Sequence, residues 1–315
     1  MSNRLEPDRS GPEGDDSLKG TSLLKISVLR MRTTFAGLAV AGLSLAACGS
    51  STSQPTTTLN AGGGSQCTYT AVQHDLYKAG VLTVATDSPA YPPWFENNAP
   101  SNDKGYESQV AYAIAKQLGF SKSQVKWTVE PFNSSYAPGP KTFDFDINEI
   151  SYSPQRAQAV TFSSSYYPVQ QALVALKGSQ IAIHHTPAEL RNYVYGDQIG
   201  TTSLAFINNE IRPTHQPYVF NNTNDAKSAL QDGRIAALVI DTPTAQYISS
   251  SEIPNSEMVG QFPSTGEHYG LLFAKGDPLV ACVNKAIAKL TTSGSFGALQ
   301  HEYLGIYNSV PTIKP

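Results

Sequence analysis

The chain passes twice from short β-rich runs into polar loops and then helical runs, and this alternation restricts its fold more than any other feature. Val81 to Thr86 (VLTVAT), after Gly80, reads as a strand. The following Asp87 to Trp94 (DSPAYPPW) cannot continue it, because its three prolines remove donors and fix φ. Glu107 to Leu118 sets Val110, Ala113, Ile114 and Leu118 at helical spacing, and Gly119 is a stop signal. Val125 to Val129 and Phe143 to Ile150 read as further strands. From about Ala175 the pattern restarts. Pro187 to Arg191 is a short helix, Tyr193 to Ile199 a strand, Leu204 to Ile211 and Asp225 to Gln231 helices, and Ile235 to Ile240 (IAALVI) a buried strand. Tyr269 to Ala274 is a strand, and Pro278 to Leu290 and Phe296 to Leu304 are helices. The rhythm predicts two α/β layers built from parallel units. In such sheets ligands sit beyond the carboxyl ends of strands. Asp87, Ser151, Thr202 and Asp241 all fall there, although polar residues at these places also cap helices.

With 315 residues, 40% hydrophobic and 15% charged, the chain has enough apolar material for a packed core. A net charge of −3 gives no electrostatic footprint for nucleic acid. Zinc-type Cys/His spacing, a phosphate-cradling glycine loop and internal repeats are missing from the sequence, so no metal or cofactor is expected.

The first 66 residues read as targeting and tether. Arg30 and Arg32 precede an apolar run, Phe35 to Ala47, that is too short to span a bilayer comfortably. Residues 1–30 are polar and unlike a signal peptide, which makes Met31 the expected start and 31–48 the signal segment. Gly49 to Gln66 is rich in Ser, Thr and Gly and serves as a flexible tether. The string Leu45-Ala46-Ala47-Cys48-Gly49 resembles a bacterial lipobox, which implies that Cys48 carries lipid, with a small-residue cleavage site and a chance Cys as the alternative. Lipid on Cys48 leaves Cys67 and Cys282. Outside the membrane an even pair reads as a disulfide, with two buried thiols as the alternative.

From about Leu76 to Gly305 the segments VATDSPAYPPW, KGYESQVAYAIAKQLGF, FDFDINEISYSPQRAQAVTFSSSYY, IGTTSLAFI, ALQDGRIAALVIDTPTA and HYGLLFAKGDPLVACVNKAI resemble the polar amino-acid branch of the bacterial extracellular solute-binding proteins. The resemblance implies a periplasmic-binding-protein-like type II α/β fold. Two lobes are joined by crossing strands near Gln171–Lys177 and Gly266–Ala274, with lobe 1 at 67–174 plus 264–315 and lobe 2 at 175–263. It also implies a monomeric, lipid-anchored protein outside the bacterial cell membrane that captures a free amino acid for the permease of an ABC transporter.

Carried over residue by residue, the resemblance gives Arg156 of the SYSPQR motif the ligand's α-carboxylate, which a planar guanidinium holds bidentately. Ser151 faces the same head group. Thr202, where a helix begins, adds a hydroxyl to the carboxylate. Asp241 takes the α-ammonium. Tyr91 and Trp94 are aromatic contacts to the ligand, and Asp87 lies near the side-chain pocket; core packing or capping is the alternative for each. The chain departs from the family in two places. Phe132 to Pro140 (FNSSYAPGP) replaces a helix with a turn-rich loop, and Glu149 stands where relatives often carry a small residue. A carboxylate there favours a cationic side chain or strengthens the grip on the ammonium. Basic amino acids are therefore slightly favoured among polar ones. Two other readings compete: a dehydratase-like enzyme of the same fold with Glu149 as acid/base, and an amino-acid sensing module.

Overall fold

The computed structural model describes residues 67–305 and 310–314. The expected extension at 1–30, the signal segment with Cys48 and the tether at 49–66 lie outside the described residues. Among the described residues the strands, in chain order, are β1 (Leu82–Thr86), β2 (Val125–Val129), β3 (Phe145–Asp146), β4 (Thr161–Pro168), β5 (Gln171–Leu176), β6 (Gly196–Gln198), β7 (Tyr218–Phe220), β8 (Ala237–Asp241), β9 (Ser256–Gln261) and β10 (His268–Phe273).

Lobe 1 is built on a five-stranded sheet of order β2-β1-β3-β10-β4. β1 runs parallel to β2 and β3, and β10 runs antiparallel to β3 and β4. β1 is buried along its whole length, Thr83 and Thr86 included, as expected of a central parallel strand. The helix Tyr106–Gln117 buries Val110, Ala111, Ile114 and Ala115, and the helix Leu279–Thr292 buries Leu279, Val283, Ala286, Ile287 and Leu290. Both stripes recur at three- and four-residue spacing and meet in one core with Val84, Phe145 and Phe273. Cys67 and Cys282 are joined as a disulfide, their Cα atoms 5.2 Å apart. The bond ties the start of lobe 1 to its last long helix.

Lobe 2 holds the antiparallel set β8-β5-β9 and the parallel pair β6-β7, linked by a bridge between Tyr195 and Ala237. β5 shows why its sequence lacks alternation. Leu173 and Ala175 enter a core with Tyr195, Val239 and Phe262, while Ala172 and Val174 enter another with Leu230, Leu238 and Ile248. A strand covered on both faces has no polar side to display.

Several expectations need correction. Gln171–Leu176 is an integral strand of lobe 2 and His268–Phe273 of lobe 1, because each is laddered on both sides within its own sheet. The passages between lobes are therefore Val169–Gln170 and the segment 263–267, and lobe 2 begins at Gln171 rather than 175. The tail at 310–314, expected in lobe 1, adds to lobe 2. Gln261 N donates to Pro311 O and Ile313 N donates to Gln261 O, both at 2.8 Å, which bridges the tail to the end of β9, and Ile313 is buried in the lobe 2 core. The lobe 1 sheet also mixes parallel and antiparallel pairs, and lobe 2 sets an antiparallel sheet beside a parallel pair, where parallel units were expected. The strand expected at Phe143–Ile150 is regular only at Phe145–Asp146; Glu149, at φ +51°, interrupts it, and Ser151 rejoins β10 as an isolated bridge to Tyr269.

Candidate functional site

The lobes meet over a polar cavity of about 70 Å3. One water needs roughly 10–15 Å3 on the same measure, so there is room for a small molecule's polar atoms rather than a single solvent. Lobe 1 contributes Asp87, Tyr91, Phe132, Asn148 and Glu149 to its wall; lobe 2 contributes Asp197, Gln198, Thr201, Thr202, Ser203, Thr223, Ile240 and Asp241. Four of these residues are carboxylates, and no Lys or Arg is among them. Of the residues singled out in the sequence, Asp87, Tyr91, Glu149, Thr202 and Asp241 meet here. Ser151, Arg156 and Trp94 do not line the wall.

Each wall residue is placed by its element. Asp241 ends β8. Its Oδ1 accepts from Gln171 Nε2 at 2.7 Å, and its Oδ2 accepts from the Tyr269 hydroxyl. It makes no side-chain cap to the helix Thr242–Tyr247 that follows, so capping does not explain it. Burial, reinforced by the neighbouring Glu267, pushes its pKa to about 8. Thr202 opens the helix Thr202–Phe206, but the cap is Thr201, whose Oγ1 accepts from Leu204 N at 3.0 Å. The Thr202 hydroxyl lies 3.5 Å from Ser151 Oγ across the seam. Asp87 leaves β1 and accepts from Ser88 N at 2.6 Å and Phe132 N at 3.3 Å. Tyr91 stacks under Lys227, whose Nζ stands 5.2 Å from the ring centroid. Burial and the nearby Asp87 push the Tyr91 hydroxyl up to about 12.

Glu149 holds a left-handed backbone that non-glycine residues seldom adopt and that marks functional sites. The fully buried Glu107 carboxylate supports it, with Oε1 accepting from Glu149 N at 2.7 Å and from the Tyr166 hydroxyl. Burial pushes Glu107 up to about 7. The Glu149 carboxylate faces lobe 2, where Thr244 Oγ1 donates to Oε2 at 3.2 Å. Desolvation, then Glu107 and Asp241, raise its pKa well above the usual carboxylate range.

Arg156 lies in the seam. Nη1 donates to Ser151 O at 2.7 Å and Nη2 to Gly200 O, on the opposite lobe, at 2.8 Å. Its guanidinium stands 4.6 Å from the Tyr136 ring centroid and 5.4 Å from that of Phe132. The residues that replace the family's helix thus come to cover the arginine, with Phe132–Ser135 forming a single helical turn. Gly200 has φ +79°, and a Cβ there would fall on Asn133 Oδ1 and the Tyr136 hydroxyl. Only glycine fits both the conformation and the close approach of the lobes. Ser151 Oγ donates to Glu267 Oε1 at 2.5 Å, and Glu267 Oε2 accepts from Gln171 Nε2 at 3.0 Å. Trp94 is fully buried against Tyr106, Tyr167 and Tyr269, and its indole N–H donates to Thr244 Oγ1 at 2.7 Å. Its aromatic role is core packing plus one bond across the seam.

Sequence reasoning missed Asp197, Gln198, Thr223, Asn148 and Phe132 on the wall, and Gln171 and Glu267 behind it. Asp197 carried a readable signal: a carboxylate inside the run Tyr193 to Ile199, which was itself read as a strand. Gln171 and Glu267 carried none, since their partners lie on other strands.

Comparison with known proteins agrees with this architecture. A probable histidine-binding protein of Neisseria gonorrhoeae is 23% identical over 228 residues, covering 71% of this chain and 82% of that protein. The L-cystine-binding protein TcyJ of Escherichia coli K12 is 25% identical over 232 residues, 72% of this chain and 83% of its own length. The solved structure of an ancestral arginine-binding protein bound to glutamine superposes with a TM-score of 0.62 at 26% identity, covering 72% of this chain and 99% of that one. The family model for bacterial extracellular solute-binding proteins, family 3, matches residues 82–306. With that match spanning most of its length, the chain belongs to the bacterial extracellular solute-binding proteins, family 3.

Proposed function

We propose that this protein captures a basic amino acid outside the cell membrane, tethered through lipid on Cys48, and hands it to an ABC transporter permease. The observation that carries the reading is the charge of the cavity wall: Asp87, Glu149, Asp197 and Asp241 line it, and no Lys or Arg does. Of these, Glu149, Asp197 and Asp241 are withdrawn from water and near other acids, so they hold their protons more tightly than free carboxylates unless a cation enters. Asp241 takes the α-ammonium, and the side-chain cation lies toward Glu149 and Asp87, over Tyr91. The α-carboxylate lies at the seam, near Thr202 and Arg156. A guanidinium carries five donors, so its bonds to Ser151 O and Gly200 O leave donors for a carboxylate. Each charge-assisted bond is worth roughly 1.5–3 kcal/mol, so four or five give about 6–15 kcal/mol, enough to cover the roughly 8 kcal/mol of micromolar binding over most of that range. Because the groups belong to both lobes, only the closed form satisfies all of them, and ligand selects closure. The role is binding and delivery rather than catalysis, in keeping with the transport relatives.

A thermal-shift screen of the twenty amino acids tests this reading. A ligand at 100 times its Kd adds roughly 2.7 kcal/mol. Arginine and lysine are expected to give the largest shifts. A screen in which glutamate or aspartate leads contradicts the reading. For the anchor, labelled fatty acid should enter the wild-type chain and not Cys48→Ala.

A further inference from the structure

Asp197 differs from every other acid on the cavity wall. It sits in β6, where a strand between two packed layers ordinarily carries an apolar residue. It is 3% exposed. Its Oδ1 accepts from the following Gln198 N at 2.7 Å, while Oδ2, although buried, has no hydrogen-bond partner. The residue nonetheless borders the cavity. Asp241, its neighbour on β8, has both oxygens committed to Gln171 and Tyr269. A buried carboxylate oxygen with no donor is costly to keep. A ligand N–H placed in the cavity would remove that cost, and a cationic one would also offset the charge, whereas an apolar or anionic side chain would leave it standing. The polar atoms beside it extend the subsite: Thr223 Oγ1 donates to Gln198 Oε1 at 2.9 Å, and both residues line the same wall.

We propose that Asp197 is a ligand-contacting, specificity-determining residue, whose free oxygen accepts an N–H from the cationic side chain of a basic amino acid. The assignment rests on the amino-acid reading above and deepens it. The bound molecule carries two cationic groups, one for Asp241 and one shared between Asp197 and the lobe 1 acids. Lobe 2 then selects the side chain as well as the head group.

The test is calorimetric titration of wild type, Asp197→Asn and Asp197→Ser with arginine, lysine, glutamine and norleucine. Asparagine preserves the Oδ1 acceptor for Gln198 N and replaces the charged free oxygen by an uncharged NH2 group of the same size; serine is the smaller uncharged variant should asparagine fail to fold. Both variants are expected to weaken arginine and lysine by about 10–100-fold, the worth of one charge-assisted bond, and to change glutamine by much less. Norleucine, which is lysine without its ammonium, should bind wild type far more weakly than lysine. Equal losses for arginine and glutamine would make Asp197 merely structural and overturn the assignment. So would unchanged arginine affinity in a folded variant. Wild type that binds none of the four overturns both this assignment and the amino-acid reading, while tight wild-type binding with insensitive variants overturns the Asp197 assignment alone.

Discussion

In lobe 1 most polar groups nearest the cleft are committed to the protein itself, the Asn148 Nδ2 donor being an exception, whereas lobe 2 leaves a buried carboxylate oxygen of a cavity-lining residue, Asp197, without a donor. Arg156 donates to two carbonyls, Ser151 to Glu267, and Asp87 accepts two backbone N–H groups. Glu107 is spent on the turn at Glu149, whose carboxylate in turn accepts from Thr244. In lobe 2, Asp197 holds an unpartnered oxygen, and Thr202 meets lobe 1 only through a 3.5 Å contact. Lobe 1, stapled by Cys67–Cys282, acts as a preorganised wall and supports the seam. Lobe 2 carries the groups whose energy changes most when a cation arrives. Preorganisation on one side and an uncompensated charge on the other together favour closure over ligand rather than over water.

Trp94 gives the largest effect that could break this comparison. If it belongs to the lobe 1 core, Trp94→Ala should destabilise the fold by about 3–5 kcal/mol in chemical denaturation. Trp94→Phe should keep most of that stability and lose the bond to Thr244. Loss of ligand affinity with unchanged stability in Trp94→Ala would return Trp94 to the ligand site.

Gly200 comes next. Gly200→Ala forces a left-handed alanine, costing roughly 1–2 kcal/mol, and pushes a methyl group against Asn133 and Tyr136. The open form escapes the contact, so scattering should show the variant less compact at saturating ligand than wild type. A variant that closes normally would mean that the seam tolerates more room than its packing implies.

The third effect is on pH. Burial raises Asp241 from 3.8 to about 8 and Glu107 from 4.5 to about 7. The folded protein thus retains protons that the unfolded chain has lost. Stability contributed this way is full below about 4 and falls as pH rises toward 8. The ligand-free melting temperature should therefore drop from pH 5 to pH 8, and the shift produced by arginine should grow over the same range. The opposite trend would mean that these acids are ionised and paired in the empty cleft.

How far the sequence could be read follows the same division. Apolar, doubly covered strands such as β1 and β8 announce themselves, and the helices Tyr106–Gln117 and Leu279–Thr292 follow their stripes. β4 (TFSSSYYP) and β9 (SEMVGQ) escaped because each leaves many positions partly exposed or polar, which hides the alternation. Asp241, Thr202, Glu149, Asp87 and Tyr91 were legible because strand ends and motif resemblance mark them. Arg156 and Ser151 were found by motif, but their bonds across the seam depend on how the lobes meet. Asp197 was readable as a carboxylate inside a strand, but Glu267 lay on an inter-lobe passage, where a local pattern reports polarity but not the partner.

The central claim is that the cavity selects positive charge through acids supplied by both lobes. Calorimetric titration of the wild-type protein with arginine and with glutamate, in the same buffer at 150 mM salt (roughly the physiological ionic strength), tests it most directly. The account predicts saturable arginine binding at micromolar Kd or tighter and no measurable heat of binding from glutamate. Glutamate binding as tight as arginine would contradict it.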